Sequence, residues 1–184
     1  VLIKKENGIN RKTKYSTQAI YKNKILISLN TLLPNKYVEF LINNNKINSL
    51  KNWEINKKEI KYSQHRFDFQ LIKKNKIMVV EIKSVTLVEK SIAKFPDAIT
   101  IRGKKHVKEL GEMAQKGIST MILFVVQRPD AFFFEPKYEV DPNFCKELYN
   151  SYNCGLKIKV IKMKMNKNNI EYKGELKYKL DHSL

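Results

Sequence analysis

The sequence predicts an α/β domain with a mixed central β-sheet and helices on both of its faces. Three observations carry that expectation. His65 to Ser84, HRFDFQLIKKNKIMVVEIKS, reads as two apolar strands around a polar turn. Ser119 to Arg128, STMILFVVQR, is a continuous apolar run, the pattern of a strand covered on both faces. Two segments carry helix-start signals, one at Thr100 and one at Asp141-Pro142.

The 184 residues suit one ordinary domain, and 42% hydrophobic content is enough for a full core. The net charge of +18 favours polyanionic partners, nucleic acid among them. Of the 36 basic residues only four are Arg, and Asn and Ile are abundant. An AT-rich coding bias therefore accounts for part of the charge. Cys145 and Cys154 provide neither a disulfide framework nor a zinc site, and His65, His106 and His182 are scattered. No apolar run nears the ~20 residues that span a bilayer, so no membrane partner is expected. With no signal peptide visible, a reducing, cytoplasmic setting is expected. The chain opens on Val1 rather than Met, which suggests residues missing from the front.

The segment to about Lys24 is polar and basic with little periodicity. Ile25 to Leu29 reads as a short strand. Thr31 is a candidate cap for a helix from Leu33 to Asn44, with Tyr37, Val38, Leu41 and Ile42 at helical spacing. Glu59 to Tyr62 reads as a strand before the hairpin. A loop follows at AKFPDAIT. Thr100 caps a helix from Ile101 to Lys116 that Gly117 ends, with Val107, Leu110 and Ala114 on one face. Asp141 as cap and Pro142 in the first turn start a third helix, which runs to Gly155. The two cysteines fall at its ends, as packing or surface thiols. LKIKVIKMKM alternates with a phase slip between Val160 and Ile161 that suggests a bulge. After a turn at Asn166 to Asn169, IEYKGELKYKL reads as a final strand. Lys173, Lys177 and Lys179 on its outer face would blunt an edge.

The hairpin fixes its own register. A two-residue loop at Lys74-Asn75 pairs Lys73 with Lys76, and a four-residue loop leads to the same register. Asp68 then faces Glu81. Phe67, Phe69, Leu71, Met78, Val80 and Ile82 share one face; Arg66, Asp68, Glu81 and Lys83 share the other. Residues directly opposite have Cβ atoms about 4.5–5.5 Å apart, and like charges there repel. Two readings follow. One is a surface salt-bridge cluster. The other is a site for a hard divalent cation, because magnesium accepts one or two carboxylates together with waters and phosphate oxygens. Val79, Ile72 and Ile77 on the same face favour partial cover, and covered charges need compensation.

An acid, a spacer of 12 residues and then Glu-Ile-Lys resembles the signature of the restriction-endonuclease-like PD-(D/E)xK nuclease superfamily. More specifically, SQHRFDFQL, VVEIKSVTLV, FPDAITIRGKKHVKEL and ILFVVQRPDAFFFEP together resemble the sugar fermentation stimulation protein A (SfsA) family. SLNTLLPNKYVEFLI and DPNFCKELYNSYNCGLKIKV fit as well, so the resemblance covers nearly the whole chain. It implies an N-terminal oligonucleotide-binding barrel followed by a restriction-endonuclease-like α/β core. Here the barrel is largely absent: residues 1–29 read as its remnant or a connecting segment, and 30–184 as the nuclease-like domain. The family is associated with DNA binding and with regulation of sugar metabolism genes.

Carried over, the resemblance makes Asp68 and Glu81 metal-binding acids and Lys83 the motif lysine, with magnesium or manganese as cofactor. The Ile82 carbonyl is a further ligand candidate. Glu39 is a candidate acid from the upstream helix, with a solvated helix face as its alternative; Glu59 is a weaker candidate. Gln127 ends the apolar strand and either reaches the site or meets solvent. Asp97 either serves a turn or cap or borders the site, since its loop follows the motif strand. Arg66, Arg102, Lys104, Lys105, His106 and Lys108 are the candidate DNA contacts, phosphates being favourable at a helix N-terminus. His106 is alternatively a general base or a plain surface residue. Trp53 and Phe132 to Phe134 serve either the core or base stacking. The function expected is a DNA-binding protein with a metal-dependent nuclease site. Its alternative is a non-catalytic DNA-binding regulator of sugar metabolism genes, and homo-oligomers are allowed by either.

Overall fold

The computed structural model describes residues 1–5 and 12–180. In chain order it begins with β1 (Leu2–Lys5), β2 (Tyr15–Lys22), β3 (Ile25–Ser28) and α1 (Leu33–Asn43). A 3-10 turn at Asn48–Leu50 leads to β4 (Glu54–Tyr62), β5 (His65–Lys73), β6 (Lys76–Val85), β7 (Leu87–Glu89) and β8 (Ile92–Phe95). Then come α2 (Ile101–Gln115), β9 (Ser119–Val126), β10 (Phe133–Pro136) and α3 (Pro142–Asn153). β11 (Lys157–Met165), β12 (Ile170–Glu175) and β13 (Lys177–Tyr178) complete the chain. His182 lies outside the described residues.

Among the described residues, nine strands form one mixed sheet in the order β1-β2-β3-β11-β9-β6-β5-β4, with β12 also beside β11. β6, β9 and β11 run parallel, and the outer strands antiparallel. The mixed sheet between helices is the architecture the sequence predicts. β9 lies at its centre, and Thr120 to Val126 are all buried, which is why that run alternates with nothing polar. One core cluster joins Val79, Ile122, Phe124, Ile158 and Val160 to Val107 and Leu110 of α2 and Leu148 of α3. The other joins Phe69, Val80, Leu123, Ile161 and Met163 to Val38 and Leu41 of α1. The sheet therefore carries α2 and α3 on one face and α1 on the other.

β1 to β3 extend this sheet, through a pairing of Met165 with Leu26. The phase change in β11 is not a bulge between Val160 and Ile161. Val160 faces α2 and α3 while Ile161 faces α1, so regular alternation under cover on both sides produces it. The irregularity in the β11–β12 ladder falls later, between Ile161 and Met163.

Three other expectations are corrected. AKFPDAIT is not all loop: Ile92–Phe95 is β8, in a second sheet of order β13-β10-β8-β7. The final segment is not one strand, because β12 pairs with β11 whereas β13 pairs with β10, and Gly174 at φ 94 lies just before the change of sheet. Lys173, Lys177 and Lys179 are nonetheless exposed. Thr31 does not cap α1; the Asn30 carboxamide accepts the Leu32 N–H at 3.0 Å, and Pro34 stands in the first turn of the helix.

The other two caps are as predicted. Thr100 Oγ1 accepts the Gly103 N–H at 3.1 Å, and Asp141 accepts the Phe144 N–H at 2.9 Å. Asp141 also accepts the Thr100 N–H at 2.8 Å, so one buried carboxylate joins the starts of α2 and α3. Cys145 is buried, and Cys154 is half-buried at the end of α3.

Candidate functional site

β5 and β6 pair in the register the turn dictates: Lys73 with Lys76, Leu71 with Met78 and Phe69 with Val80. Lys74, at φ 53, supplies the left-handed residue of the two-residue turn. The main-chain ladder ends at Phe69 and Val80. Where its next rung would fall, Asp68 Oδ2 accepts the backbone N–H of Ile82 at 2.7 Å.

The expectation that all six apolar hairpin residues share one face fails at Phe67. Phe67 packs in the α2 cluster, while Phe69 and Leu71 pack in the α1 cluster. On β4, Ile60 and Tyr62 likewise join the α2 side and Ile55 the α1 side. Glu59 stands between them at φ 49; the β4–β5 register runs unchanged from Lys58–Phe69 to Ile60–Phe67, its one irregularity lying earlier, between Ile55 and Lys57. This left-handed residue changes the face of the strand, and Asp68 is the residue opposite the change.

The two acids take their side-chain partners from different layers. Asp68 Oδ1 accepts from Asn35 Nδ2 of α1 at 2.6 Å. Glu81 Oε1 meets His106 Nδ1 of α2 at 2.7 Å and accepts from Lys83 Nζ at 2.6 Å. The expectation that Asp68 shares one face with Glu81 and Lys83 therefore fails: Asp68 turns to the α1 layer and Glu81 to the α2 layer, past the last rung of the β5–β6 ladder. Burial first, then the Glu81 charge, push the Asp68 carboxyl up to about 6, against the pull of its two N–H donors. Burial also raises Glu81, but the His106 hydrogen bond and the Lys83 ammonium outweigh it and hold that carboxyl below the ordinary range. The outcome is two adjacent carboxyls whose proton affinities are driven apart.

Glu39 comes to the same neighbourhood. With Asn35, Lys36, Lys58, Glu59 and Asp68 it lines a cavity of about 300 Å³. Its carboxylate is paired with Lys58. Glu59 pairs at 3.3 Å with Arg66, so Arg66 is not grouped with Asp68, Glu81 and Lys83 as its strand position suggested. Both members of that pair are mostly exposed, and such pairs add little stability. Gln127 is buried; its Nε2 donates to Ser84 Oγ at 2.7 Å and its N–H to the Val85 carbonyl at 2.8 Å, just past Lys83. Asp97 lies exposed in the bend before α2.

Arg102, Lys105 and Lys108 are exposed and Lys104 half-exposed at the start of α2. His106 departs from this group. It is 2% exposed, neither a surface residue nor within reach of a phosphate outside. Its ring lies 5.4 Å from Phe67 and 5.2 Å from His65, and Arg102 Nε donates to its Nε2 at 3.4 Å. Helical spacing with Leu110 and Met113 was the signal for that burial. Asn35, one turn ahead of Glu39, carried no such signal. Trp53 packs against the α1 core, and Phe134 is buried on Phe124 at 4.5 Å. Phe132 is 72% exposed, with Lys162 Nζ 4.9 Å from its ring centre.

Against known families, residues 32–169 match the sugar fermentation stimulation protein RE domain. The chain belongs to the sugar fermentation stimulation protein family. A family homologue from Methanosphaera stadtmanae is 49% identical over 86% of this chain, which spans 65% of that relative. A homologue from Clostridium botulinum is 39% identical over 97% of this chain and 78% of its own length. The solved structure of Pyrococcus furiosus SfsA in complex with Ca2+ superposes with a TM-score of 0.90 at 28% identity, covering 96% of this chain and 76% of that one. Among the described residues, no helix is long and apolar enough to cross a membrane.

Among the described residues, no three His, Cys, Asp or Glu side chains form a metal-binding group. A cage built from side chains alone does not fit. The residues that could hold a metal here are a partial, oxygen-only set: the Asp68 and Glu81 carboxylates and the Ile82 carbonyl. Magnesium and manganese accept such partial sets and fill the remainder with waters and substrate oxygens.

Proposed function

We propose that this family member is a metal-dependent nuclease acting on DNA. One observation carries the reading: Asp68 Oδ2 bonds the backbone N–H of Ile82, the residue between Glu81 and Lys83, while Lys83 Nζ bonds Glu81 Oε1, so two acids and an ammonium gather on one backbone segment. A repulsive pair of acids, one buried and one half-buried, has a use when a cation sits between them. The Pyrococcus furiosus protein was solved in complex with Ca2+, which supports an oxygen-liking divalent site in this family.

Asp68, Glu81 and the Ile82 carbonyl would hold magnesium or manganese. Within a strand, a residue's N–H and C=O point to the same side. The Ile82 carbonyl therefore faces the gap that Asp68 enters through the Ile82 N–H. When bound, the ion supplies Lewis-acid polarisation of a phosphoryl oxygen. Lys83 puts a positive charge next to Glu81, where it steadies charge developing on a phosphate and orients a nucleophilic water. In the metal-free chain the Asp68 carboxyl lies near 6, so cation binding displaces a proton from it as pH falls toward that value. Arg102, Lys104, Lys105 and Lys108 attract the phosphate backbone, and Arg66 adds to that charge.

The second reading is DNA binding without cleavage, in a regulator. It draws on the hydrogen bonds: both Asp68 oxygens and Glu81 Oε1 already have protein donors, so no cation is needed to satisfy them. A cleavage assay decides. Labelled single- and double-stranded DNA are incubated with magnesium or manganese and the native chain, Asp68→Ala, Glu81→Ala or Lys83→Ala. Metal-dependent products from the native chain alone support the nuclease; binding without products from any protein supports the regulator.

A further inference from the structure

We infer that His106 is a positioning residue whose Nδ1–H fixes the Glu81 carboxylate and leaves its second oxygen to a cation. The inference rests on the proposed reading of Glu81 as a metal ligand.

Three observations carry it. First, both donors to Glu81 meet the same atom: His106 Nδ1 at 2.7 Å and Lys83 Nζ at 2.6 Å both lie against Oε1. Two donors on one oxygen fix the plane and direction of the carboxylate, and Oε2 is the atom left over. Second, the proton on the ring is dictated from outside. A guanidinium only donates, so the contact from Arg102 Nε at 3.4 Å makes His106 Nε2 an acceptor. The proton of a neutral imidazole must then lie on Nδ1, facing Glu81. Third, the ring is held. The side chains of His106 and Glu81 are 3% and 6% exposed, so water competes little for their bond. Phe67 and His65 flank the ring at 5.4 Å and 5.2 Å, and the start of α2 is pinned by Thr100 and Asp141.

A carboxylate that binds metal in one orientation needs such a partner, because free rotation spreads its oxygens over many directions. Partners of this kind commonly change metal affinity by about 10–100-fold when removed. Arg102 thereby has two tasks. Its charge lies at the proposed DNA surface, and its Nε sets the tautomer of the buried ring.

The test pairs two amides. His106→Asn keeps a donor close to the Nδ1 position, whereas His106→Gln moves the amide to the Nε2 position. Mn2+ affinity of each is measured by calorimetry. The expected result is affinity close to native for Asn and a loss of about 10–100-fold for Gln. In parallel, nitrogen-15 NMR of the metal-free native chain is expected to show His106 protonated at Nδ1, and Arg102→Ala to weaken that preference. Equal Mn2+ affinity for the Asn and Gln variants, or a native ring protonated at Nε2, overturns the inference while leaving the site reading intact. No Mn2+ binding by the native chain overturns both. Should either variant fail to fold, the tautomer of the native chain decides.

Discussion

Asp68 Oδ2 accepts the Ile82 N–H at 2.7 Å, so a side chain stands in for the next main-chain rung between β5 and β6. The same contact ties the first acid to the backbone between Glu81 and Lys83. Loss of the carboxylate at residue 68 therefore disturbs more than one ligand. Asp68→Ala is expected to weaken Mn2+ binding by about 100-fold or more and to abolish cleavage, read by calorimetry and the DNA assay. Native-like Mn2+ affinity in that variant would sink the site.

The raised Asp68 carboxyl makes a pH prediction with an unusual sign. In the folded chain it titrates at about 6 rather than 3.8. The native state thus holds the proton more tightly than the unfolded one, and ionisation of this group is destabilising. That cost is absent below the unfolded value and fully present above about 6, reaching up to about 3 kcal/mol. Asp68→Asn removes it. Urea unfolding of metal-free protein is expected to show the variant gaining on the native chain as pH rises from about 4 to about 7. Glu81, held low, works in the opposite direction, and because its charge is coupled to Asp68 the difference between the two proteins reports the pair.

Lys83 separates metal binding from chemistry. Its ammonium is 2.6 Å from Glu81 Oε1, where it opposes an incoming cation and favours a developing negative charge. Lys83→Met removes both a charge opposed to the cation and one of the two donors on Oε1, so Mn2+ affinity is expected to stay within about 10-fold of native while the cleavage rate falls by about 100-fold or more. A parallel loss of both would make the lysine a structural counter-charge only.

Asp141 gives a stability prediction away from the acids. It accepts from Phe144 at 2.9 Å and from Thr100 at 2.8 Å while 4% exposed. Asp141→Ala removes a helix cap and orphans a second N–H, for a cost of about 2–3 kcal/mol in urea unfolding. A change below about 0.5 kcal/mol would show that solvent replaces the carboxylate at both sites.

The basic start of α2 is tested by salt. Replacing Lys104, Lys105 and Lys108 together by Gln is expected to reduce the slope of log affinity for DNA against log salt by about 2–3. An unchanged slope would place the DNA elsewhere.

The hairpin was legible from Phe69–Val80 to Lys73–Lys76 because a two-residue turn leaves little freedom; the pairing of Asp68 with Glu81 beyond it did not form. The caps at Thr100 and Asp141 were legible because side-chain type and local sequence decide them. The turn of Phe67 to the other cluster was not. It follows from Glu59 adopting φ 49 on a different strand, which alternation within β5 does not encode. Nor was the second sheet, whose strands run from Leu87–Glu89 to Lys177–Tyr178 and include segments of only two to four residues. His106 was read by its basic neighbours, although its spacing with Leu110 and Met113 gave its burial. Asn35 is polar at a helix start, where any solvent-facing role looks the same.

The break at Glu59 has a consequence for self-association. β4 is the rim of a long, strongly β sheet, and such a rim invites fibril growth by strand addition. A left-handed kink midway along it, with Lys57, Lys58 and Lys61 exposed around it, denies an incoming strand a flat run of donors and acceptors. The irregularity at which Phe67 changes cluster thus leaves this rim a poor template for strand addition.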